Sequence, residues 1–342
     1  MSDIQFAHFN QPFELEGGDV LPGVTIAYHT YGTLSPERDN VIWVCHALTA
    51  NSDIPDWWAH TVEPGRFLDP ERYFIICANI LGSPYGTTCP MSINPATGEP
   101  WYDSFPKVTM RDIVKGHMLL ARHLGIDHVE LLIGSSIGGF QCMEWAIMQP
   151  SFPRRLALIA TSDRQRPWGI AFNESQRMAI EADQTWGEHR PDAAYAGLAT
   201  ARAISMLSFR GREAYDLTQD DPERDAKTDA FRVCSYQRYQ GKKLADRFDA
   251  YSFMSILYSS DSHNVARGRG SVQEALSAIT APTQIVAITT DNLYSVEGHD
   301  NLLNYIPKAR IHIIKSSYGH DGFLVEHNQL NDIITAFLNE KV

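Results

Sequence analysis

The stretch LLIGSSIGGFQ, residues 131–141, places two serines among three glycines directly after a run of apolar residues. Its centre, GSSIG, matches the pattern G-x-S-x-G, which is typical of a tight turn between a strand and a helix with an exposed serine hydroxyl. Such a turn crowds the backbone, so the positions two residues before and after the serine favour glycine. Ser136 is therefore the expected nucleophile, although the pattern also arises by chance or in an ordinary strand-to-helix turn.

Short apolar, β-branched runs recur along the chain and are typical of buried strands. Helical patterns separate several of them, as in residues 110–125, where apolar side chains recur on one face and Gly125 provides a stop signal. Strands that alternate with helices in this way indicate an α/β fold with a mostly parallel sheet and helices on both faces. The predicted strands are residues 23–32, 40–47, 72–81, 129–134, 154–162, 283–289 and 309–316.

Residues 168–278 interrupt the alternation. They are rich in Arg, Asp, Glu, Gln and Ala, have helical periodicity, and contain no convincing strand. We expect an inserted helical lid subdomain over 168–278, with residues 1–167 and 279–342 forming the core. Extra surface helices packed on the same core would give a similar pattern.

The composition restricts the possible partners. The chain has 342 residues, 44% hydrophobic and 20% charged, with a formal net charge of -12 and no run of Lys or Arg, so we expect no nucleic-acid partner. The first residues lack the basic and apolar regions of a signal peptide, and no segment has the length of unbroken apolar sequence that spans a bilayer. We therefore expect a cytoplasmic protein without membrane contact.

The cysteines and glycine-rich stretches predict no bound metal or nucleotide cofactor. The cysteines are odd in number and lack CxxC spacing, HExxH is absent, and neither ILGSPYGTTCP nor ARGRGS has the features of a phosphate-binding loop. We expect no disulfide framework, zinc site or other metal site. The five cysteines are Cys45, Cys77, Cys89, Cys142 and Cys234.

A serine hydroxyl needs a base to remove its proton, and the base needs a carboxylate to hold it in the right tautomer. In chains with this serine turn the acid follows the serine, and the histidine follows the acid. Asp291 comes directly after the predicted strand 283–289, and His320 lies in the loop after the predicted strand 309–316. Ser136, Asp291 and His320 are therefore the predicted catalytic triad.

Other histidines are weaker candidates. His299 belongs to a second GHD sequence, residues 298–300, which lies too early to follow the last strand, and we interpret it as a surface repeat. His117 and His123 fall on one predicted helix and are interpreted as packing or surface residues.

Acyl transfer also needs hydrogen-bond donors for the oxyanion. The backbone N–H of Ile137, which follows the nucleophile at the start of a helix, is the first candidate. The second donor normally comes from a loop after an earlier strand, and the N–H of Leu48 in residues 44–53 is the candidate there. Taken alone, that loop could also be a plain connection.

Taken together, these residues resemble the homoserine O-acetyltransferases of the α/β-hydrolase superfamily. The matching segments run in family order from about residue 6 to 330, so the resemblance covers nearly the whole chain. They include YHTYGTL, VCHALTANSD, ANILGSPYGTT, SINPATGEP, FPKVTMRDIV, GSSIGGFQCMEWA, AFNESQRMAI, ARAISMLSFR, RFDAYSF and YGHDGFLVE.

The resemblance implies a ping-pong reaction in methionine biosynthesis. Ser136 would accept an acetyl group from the co-substrate acetyl-CoA, His320 would act as base and then acid, and Asp291 would orient His320. The hydroxyl of L-homoserine would then take the acetyl group. The resemblance further implies a homodimer joined through the lid helices.

The resemblance also implies roles in substrate binding. Arg202 would hold the carboxylate of the amino acid, Asp321 would pair with its ammonium group, and Thr49 would line the site. Without the resemblance, Arg202 would be interpreted as a salt-bridge residue and Asp321 as a helix cap.

Three departures from the family pattern bear on the substrate. Phe209 stands where the family usually has Tyr, which removes a hydroxyl from the site. The segment TDNLYS keeps the aspartate of the family's SDxLFP but changes its neighbours, and GSSIGG replaces GGSMGG. A serine acyltransferase, a succinyl-CoA-dependent enzyme and an esterase are therefore alternatives, as is a non-catalytic binding protein on the same scaffold.

Overall fold

A computed structural model of the chain describes residues 3–341 and contains an eight-stranded sheet in the order β1-β4-β6-β5-β7-β8-β9-β10. β4 runs antiparallel to both of its neighbours, whereas the strands from β6 to β10 are parallel. The strands are β1 Gln5–Phe9, β2 Phe13–Glu14, β3 Val20–Leu21, β4 Val24–Tyr31, β5 Val41–Cys45, β6 Phe74–Ala78, β7 Leu131–Ser135, β8 Leu156–Ile159, β9 Thr283–Ile288 and β10 Ala309–Ile314.

Helices cover the sheet and extend from it. They are α1 Ile54–Trp57, α2 Met110–His123, α3 Ile137–Met148, α4 Pro167–Glu181, α5 Tyr195–Phe209, α6 Arg212–Gln219, α7 Arg232–Ala245, α8 Ala250–Asp261, α9 Val272–Ser277, α10 Asp300–Tyr305, α11 Gly322–Val325 and α12 His327–Leu338. Within residues 3–341, no helix combines the length and apolar character needed to cross a membrane.

Each of the seven predicted strands is confirmed, and the parallel strands pack on both faces. In β5, Trp43 and Cys45 join one apolar cluster while Ile42 and Val44 join another on the opposite face. The first cluster includes side chains of α2 and α3, and the second includes side chains of α12. Apolar side chains on both sides of a strand give the unbroken apolar runs from which these strands were predicted.

The first three strands were not predicted from the sequence. β1 lies at the edge of the sheet and pairs only with β4 among the described strands. Its Ala7 is buried while Phe6 is 49% exposed, so the strand lacks a continuous apolar run. β2 and β3 form a separate two-residue ladder, which is too short to give a periodic signal.

Between β8 and β9 the described chain holds six helices, α4 to α9, and no strand. Among these helices, α5 packs against both α4 and α7. Glycines allow these close contacts, because a Cβ at Gly197 would lie 2.7 Å from the carbonyl oxygen of Ala179 on α4. A Cβ at Gly241 on α7 would likewise lie 2.4 Å from the carbonyl oxygen of Ala199. α9 instead contacts α3 and α10.

Candidate active site

The serine turn lies between β7, which ends at Ser135, and α3, which begins at Ile137. Ser136 has φ 55° and ψ -124°, a backbone conformation that is costly for a residue with a side chain. The surrounding backbone holds it there: its N–H donates to the carbonyl of Ile159 at 2.9 Å, and its carbonyl accepts from Thr161 Oγ1 at 2.9 Å. The turn therefore stores strain to present this one hydroxyl.

The glycines of the turn are required by space. A Cβ at Gly134 would lie 2.3 Å from the carbonyl oxygen of Gly138, and a Cβ at Gly138 would lie 2.1 Å from the carbonyl oxygen of Cys45 on β5. Neither contact can be relieved by moving a flexible side chain, because the opposing atoms belong to the backbone. The pattern G-x-S-x-G thus reflects how closely α3 approaches the ends of β7 and β5.

We expect Gly138→Ala to lower the free energy of unfolding by about 3 kcal/mol, since the added methyl group must displace backbone. Urea unfolding followed by circular dichroism would measure the change. Gly17→Ala is the matched control, because a Cβ there meets no atom within 4 Å and its φ is not in the left-handed region. Equal stability of the two variants would contradict this account of the turn.

Asp291 and His320 are brought together from different loops at the same end of the sheet. His320 Nδ1 lies 2.8 Å from Asp291 Oδ2 in the buried interior. The other carboxylate oxygen, Oδ1, accepts from the backbone N–H groups of Leu293 at 2.8 Å and Tyr294 at 3.0 Å. The carboxylate is thereby fixed and holds the proton of His320 on Nδ1, which leaves Nε2 free to accept a proton.

The charge on Asp291 also sets the acidity of His320. Burial by itself would lower the pKa of this imidazole, but the Asp291 carboxylate and its hydrogen bond, together with nearby Asp321, raise the pKa of His320 above its ordinary value of 6.5. The protonated form of His320 is therefore stabilised, which is the property that a general base needs.

One cavity of about 140 Å³ collects most of the predicted site residues. Ser136 and His320 line it together with Leu48, Thr49, Arg202, Phe209 and Asp321. Within residues 3–341 no hydrogen bond joins Ser136 to His320, and the buried His320 Nε2 has no partner. Catalytic hydrogen bonds are often loose in a free enzyme and tighten around the reacting groups.

Arg202 comes from the middle of α5 and reaches the cavity with its charge unpaired. No carboxylate of the described chain lies within ion-pair distance of its guanidinium, and its Cζ lies 5.2 Å from the centre of the Phe209 ring. Burial is the largest influence on the pKa of Arg202 and lowers it, and Asp321 counteracts this. A partly buried cation without a carboxylate partner favours an anionic ligand in the cavity.

Asp321 directly follows His320 and also lines the cavity. Its Oδ2 accepts from Arg210 Nε at 3.3 Å, a contact that the sequence analysis did not anticipate. Its side chain makes no capping bond to α11, so the cap interpretation does not apply. The cavity thus presents one carboxylate and one guanidinium without a carboxylate partner beside Ser136.

The two predicted oxyanion donors both lie near Ser136. Ile137 is the first residue of α3, where backbone N–H groups have no partner within the helix. Leu48 lies in a turn that closes through the N–H of Ala50 and the carbonyl of Ala47, at 3.1 Å, and that borders the cavity.

The interpretation of His299 as part of a surface repeat is wrong. Its side chain is fully buried, its Nε2 accepts from the N–H of Thr161 at 3.4 Å, and its Nδ1 lies 2.9 Å from the carbonyl oxygen of Ser295. His299 thus contacts Thr161, which in turn donates to the carbonyl of Ser136 in the serine turn. His117 is buried and His123 is exposed, which fits the packing and surface interpretation of this pair.

Some residues around the cavity were not predicted. Arg247, in the loop between α7 and α8, and Trp57, at the end of α1, both line it. Arg247 lies within RFDAYSF, a segment that resembles the family but has no local pattern to suggest a role.

Within the described residues there is neither a disulfide nor a cluster of metal-ligating side chains. All five cysteines are free thiols. Across residues 3–341, no three His, Cys, Asp or Glu side chains are grouped closely enough to hold a metal ion.

Comparison with known proteins identifies the family of the chain. Residues 40–327 match the family described as alpha/beta hydrolase fold. A homoserine O-acetyltransferase of Cyclobacterium marinum is 42% identical over 330 residues, which cover 96% of this chain and 93% of that protein.

Solved structures are similar over the same extent. The crystal structure of homoserine O-acetyltransferase from Bacillus anthracis superposes with a TM-score of 0.91 at 25% identity, covering 100% of this chain and 99% of the other. An acetylester hydrolase from Corynebacterium glutamicum gives a TM-score of 0.87 at 22% identity, covering 99% and 96%, and is evidence for the fold alone.

Proposed function

The chain belongs to the homoserine O-acetyltransferase family, and we propose how its residues perform the reaction. The enzyme transfers an acetyl group to the hydroxyl of homoserine, a step of methionine biosynthesis. The observation that carries our assignment is the single cavity in which Ser136 and His320 lie beside Arg202 and Asp321. A nucleophile, a base and two opposite charges suit an amino acid as acyl acceptor.

In the first half-reaction, Ser136 Oγ attacks the thioester carbonyl of acetyl-CoA. His320 Nε2 takes the serine proton and delivers it to the departing sulfur, so that CoA leaves as the free thiol and the acetyl group stays on Ser136. The N–H groups of Leu48 and Ile137 stabilise the oxyanion. Asp291 stabilises the imidazolium while it carries the proton.

In the second half-reaction, the homoserine hydroxyl replaces the serine as nucleophile. His320 removes its proton as it attacks the acetyl-serine, and the same proton returns to Ser136 Oγ as the ester bond to the enzyme breaks. The acetyl group is then on homoserine and the enzyme is unchanged. No metal ion or bound cofactor is assigned to either step.

The charges beside the serine orient the acceptor. We assign the carboxylate of homoserine to Arg202 and its ammonium group to Asp321, and Thr49 lines the same site. Because Asp321 already accepts from Arg210, the ammonium group adds a second partner to a carboxylate that is held in place. Fixing both ends of the amino acid leaves its hydroxyl directed at the acetyl-serine.

We expect Arg202→Ala to raise the KM for homoserine by about 10- to 100-fold, because a charge-assisted hydrogen bond to the carboxylate is lost. The release of p-nitrophenol from p-nitrophenyl acetate, which needs no carboxylate, should change much less. Steady-state kinetics with both substrates would measure the difference. Arg238→Ala, on the exposed face of α7, is the control, and an unchanged KM in Arg202→Ala would contradict the assignment.

A panel of acyl donors and acceptors tests the substrates directly. Acetyl-CoA and succinyl-CoA are each offered with homoserine, serine or water, and product is quantified by mass spectrometry. We expect the greatest kcat/KM for acetyl-CoA with homoserine, and acetyl-CoA alone should leave an acetyl group on Ser136. Turnover with water as fast as with homoserine, or a preference for serine or succinyl-CoA, would overturn the proposal.

The size of the cavity indicates that most of the acyl donor, acetyl-CoA, binds outside it. About 140 Å³ is less than the roughly 300 Å³ that encloses a drug-sized ligand, so the bulk of CoA must lie outside the cavity.

We also propose that the chain is divided into a core and a lid. The core comprises residues 1–167 and 279–342, and the lid comprises residues 168–278.

We further propose a cytoplasmic homodimer joined through the lid helices, with no nucleic-acid or membrane partner. Exposed apolar side chains on four lid helices support the dimer, since exposed apolar surface favours association. They are Trp168, Met178, Leu207, Leu217 and Tyr239.

A further inference from the structure

We propose that Arg247 is a positioning residue through which the lid holds the oxyanion turn, residues 47–50, in its catalytic geometry. The inference rests on the proposed function, because it concerns the same serine and the same oxyanion. Arg247 lies 198 residues from Thr49 in the sequence and was not predicted to act in catalysis. Its contacts connect the lid to the turn that bears Leu48.

The oxyanion turn leaves its two central N–H groups available. The N–H of Ala50 donates to the carbonyl of Ala47 at 3.1 Å, which closes a four-residue turn around Leu48 and Thr49. In such a turn the internal hydrogen bond uses neither central N–H group. Both central residues border the cavity beside Ser136. The direction of these N–H groups therefore depends on what holds the turn from outside.

The core holds the start of the turn. His46 is fully buried, and its Nε2 accepts from the N–H of Ile80 at 3.3 Å, which places its proton on Nδ1. Nδ1 then donates to the carbonyl of Ala47 at 2.8 Å. Gln141 on α3 donates from Nε2 to the carbonyl of His46 at 3.2 Å. Burial lowers the pKa of His46 to about 4, so this support is uncharged at neutral pH.

The lid holds the other end. Arg247 Nη1 donates to the carbonyl of Thr49 at 2.8 Å, and the same nitrogen donates to the hydroxyl of Tyr85. The Arg247 Cζ also lies 5.9 Å from the centre of the Tyr85 ring. The backbone carbonyl of Tyr85 in turn accepts from the side chain of Asn79 in the core. Arg247 thus joins three separate parts of the chain: the lid, the oxyanion turn and the loop after β6.

The partners of Arg247 point to positioning. Within the described residues its guanidinium contacts a neutral carbonyl and a hydroxyl, and no carboxylate lies within ion-pair distance. Arg247 is itself exposed, but its charged donor fixes the Thr49–Ala50 peptide plane, whose Ala50 N–H closes the turn. At the other end, His46 holds the Ala47–Leu48 plane that carries the Leu48 N–H. Displacing an oxyanion donor by a fraction of an ångström weakens its bond to the transition state.

The test measures acylation separately from the amount of active enzyme. In rapid mixing with p-nitrophenyl acetate, the burst rate constant reports acylation of Ser136, and the burst amplitude reports the fraction of competent protein. We expect Arg247→Ala to lower the rate constant by about 10- to 100-fold. This is less than the roughly 1000-fold loss that complete removal of an oxyanion donor can cause, because the donor is displaced and not deleted. The amplitude and the KM for homoserine should stay within about twofold of the parent's, a fold-change equivalent to little binding energy.

Two variants separate positioning from general stability. Arg247→Lys keeps one charged donor for the Thr49 carbonyl and should recover most of the rate constant, whereas Tyr85→Phe leaves that bond intact and should have the smaller effect. Arg238→Ala should match the parent.

Three results would overturn the inference. They are an unchanged burst rate constant in Arg247→Ala, a loss confined to the amplitude, or a rise confined to the KM for homoserine. If the parent shows the burst but homoserine does not accept the acetyl group, the proposed function fails while the burst still tests the role of Arg247.

Discussion

Replacing Ser136 with alanine is expected to lower kcat for acetyl transfer by about 10⁴-fold or more, because the acyl-enzyme can no longer form. The side chain is small and its removal leaves no buried group unpaired, so the melting temperature should change little. Incubation with acetyl-CoA followed by intact-protein mass spectrometry should show an acetylated parent and an unmodified variant.

Ser135→Ala is the matched control for this experiment. Ser135 is the neighbouring serine of the same turn, and its hydroxyl is buried without a hydrogen-bond partner in the described chain. It ends β7 with ordinary strand geometry, whereas Ser136 has the positive φ. Full activity in Ser136→Ala, or a comparable loss in Ser135→Ala, would place the nucleophile elsewhere.

The parts of the molecule that were predictable from sequence are those with a strong local signal. The buried parallel strands are apolar on both faces, and the serine turn needs glycine where backbone atoms approach within 2.3 Å of an added Cβ. The order of Ser136, Asp291 and His320 could be predicted because each follows a strand end, and parallel strands bring their ends to one edge.

The remaining features depend on contacts that are distant in sequence. His299 was interpreted as a surface residue, but in the folded chain it is buried and accepts from Thr161, which follows β8. The pairing of Arg210 with Asp321 joins the end of α5 to the loop after β10, and Arg247 reaches across 198 positions to Thr49. Such pairs have no period or spacing, so only the folded chain reveals them.

The second large effect concerns the carboxylate behind His320. We expect Asp291→Asn to lower kcat/KM for acetyl transfer by about 10⁴-fold without unfolding the protein. The substitution preserves the size of the side chain, and its amide oxygen can still accept from the N–H groups of Leu293 and Tyr294. Steady-state kinetics beside a thermal melt would measure both properties.

The loss follows from which atom of the amide must face His320. The two backbone N–H groups require an acceptor and therefore select the amide oxygen, as they now select Asp291 Oδ1. The NH₂ group is then directed at His320 Nδ1, which must become an acceptor, so the proton moves to Nε2. An imidazole protonated at Nε2 cannot accept the proton of Ser136.

The pH profile distinguishes this loss from simple damage to the site. In the parent, kcat/KM should rise as pH increases through the pKa of His320, which lies above 6.5, because only the neutral imidazole is a base. Removing the negative charge of Asp291 removes the largest influence that raises this pKa, so in Asp291→Asn the rise should occur at lower pH and reach a much lower plateau. A lower plateau with an unshifted rise would mean that Asp291 does not control the ionisation of His320.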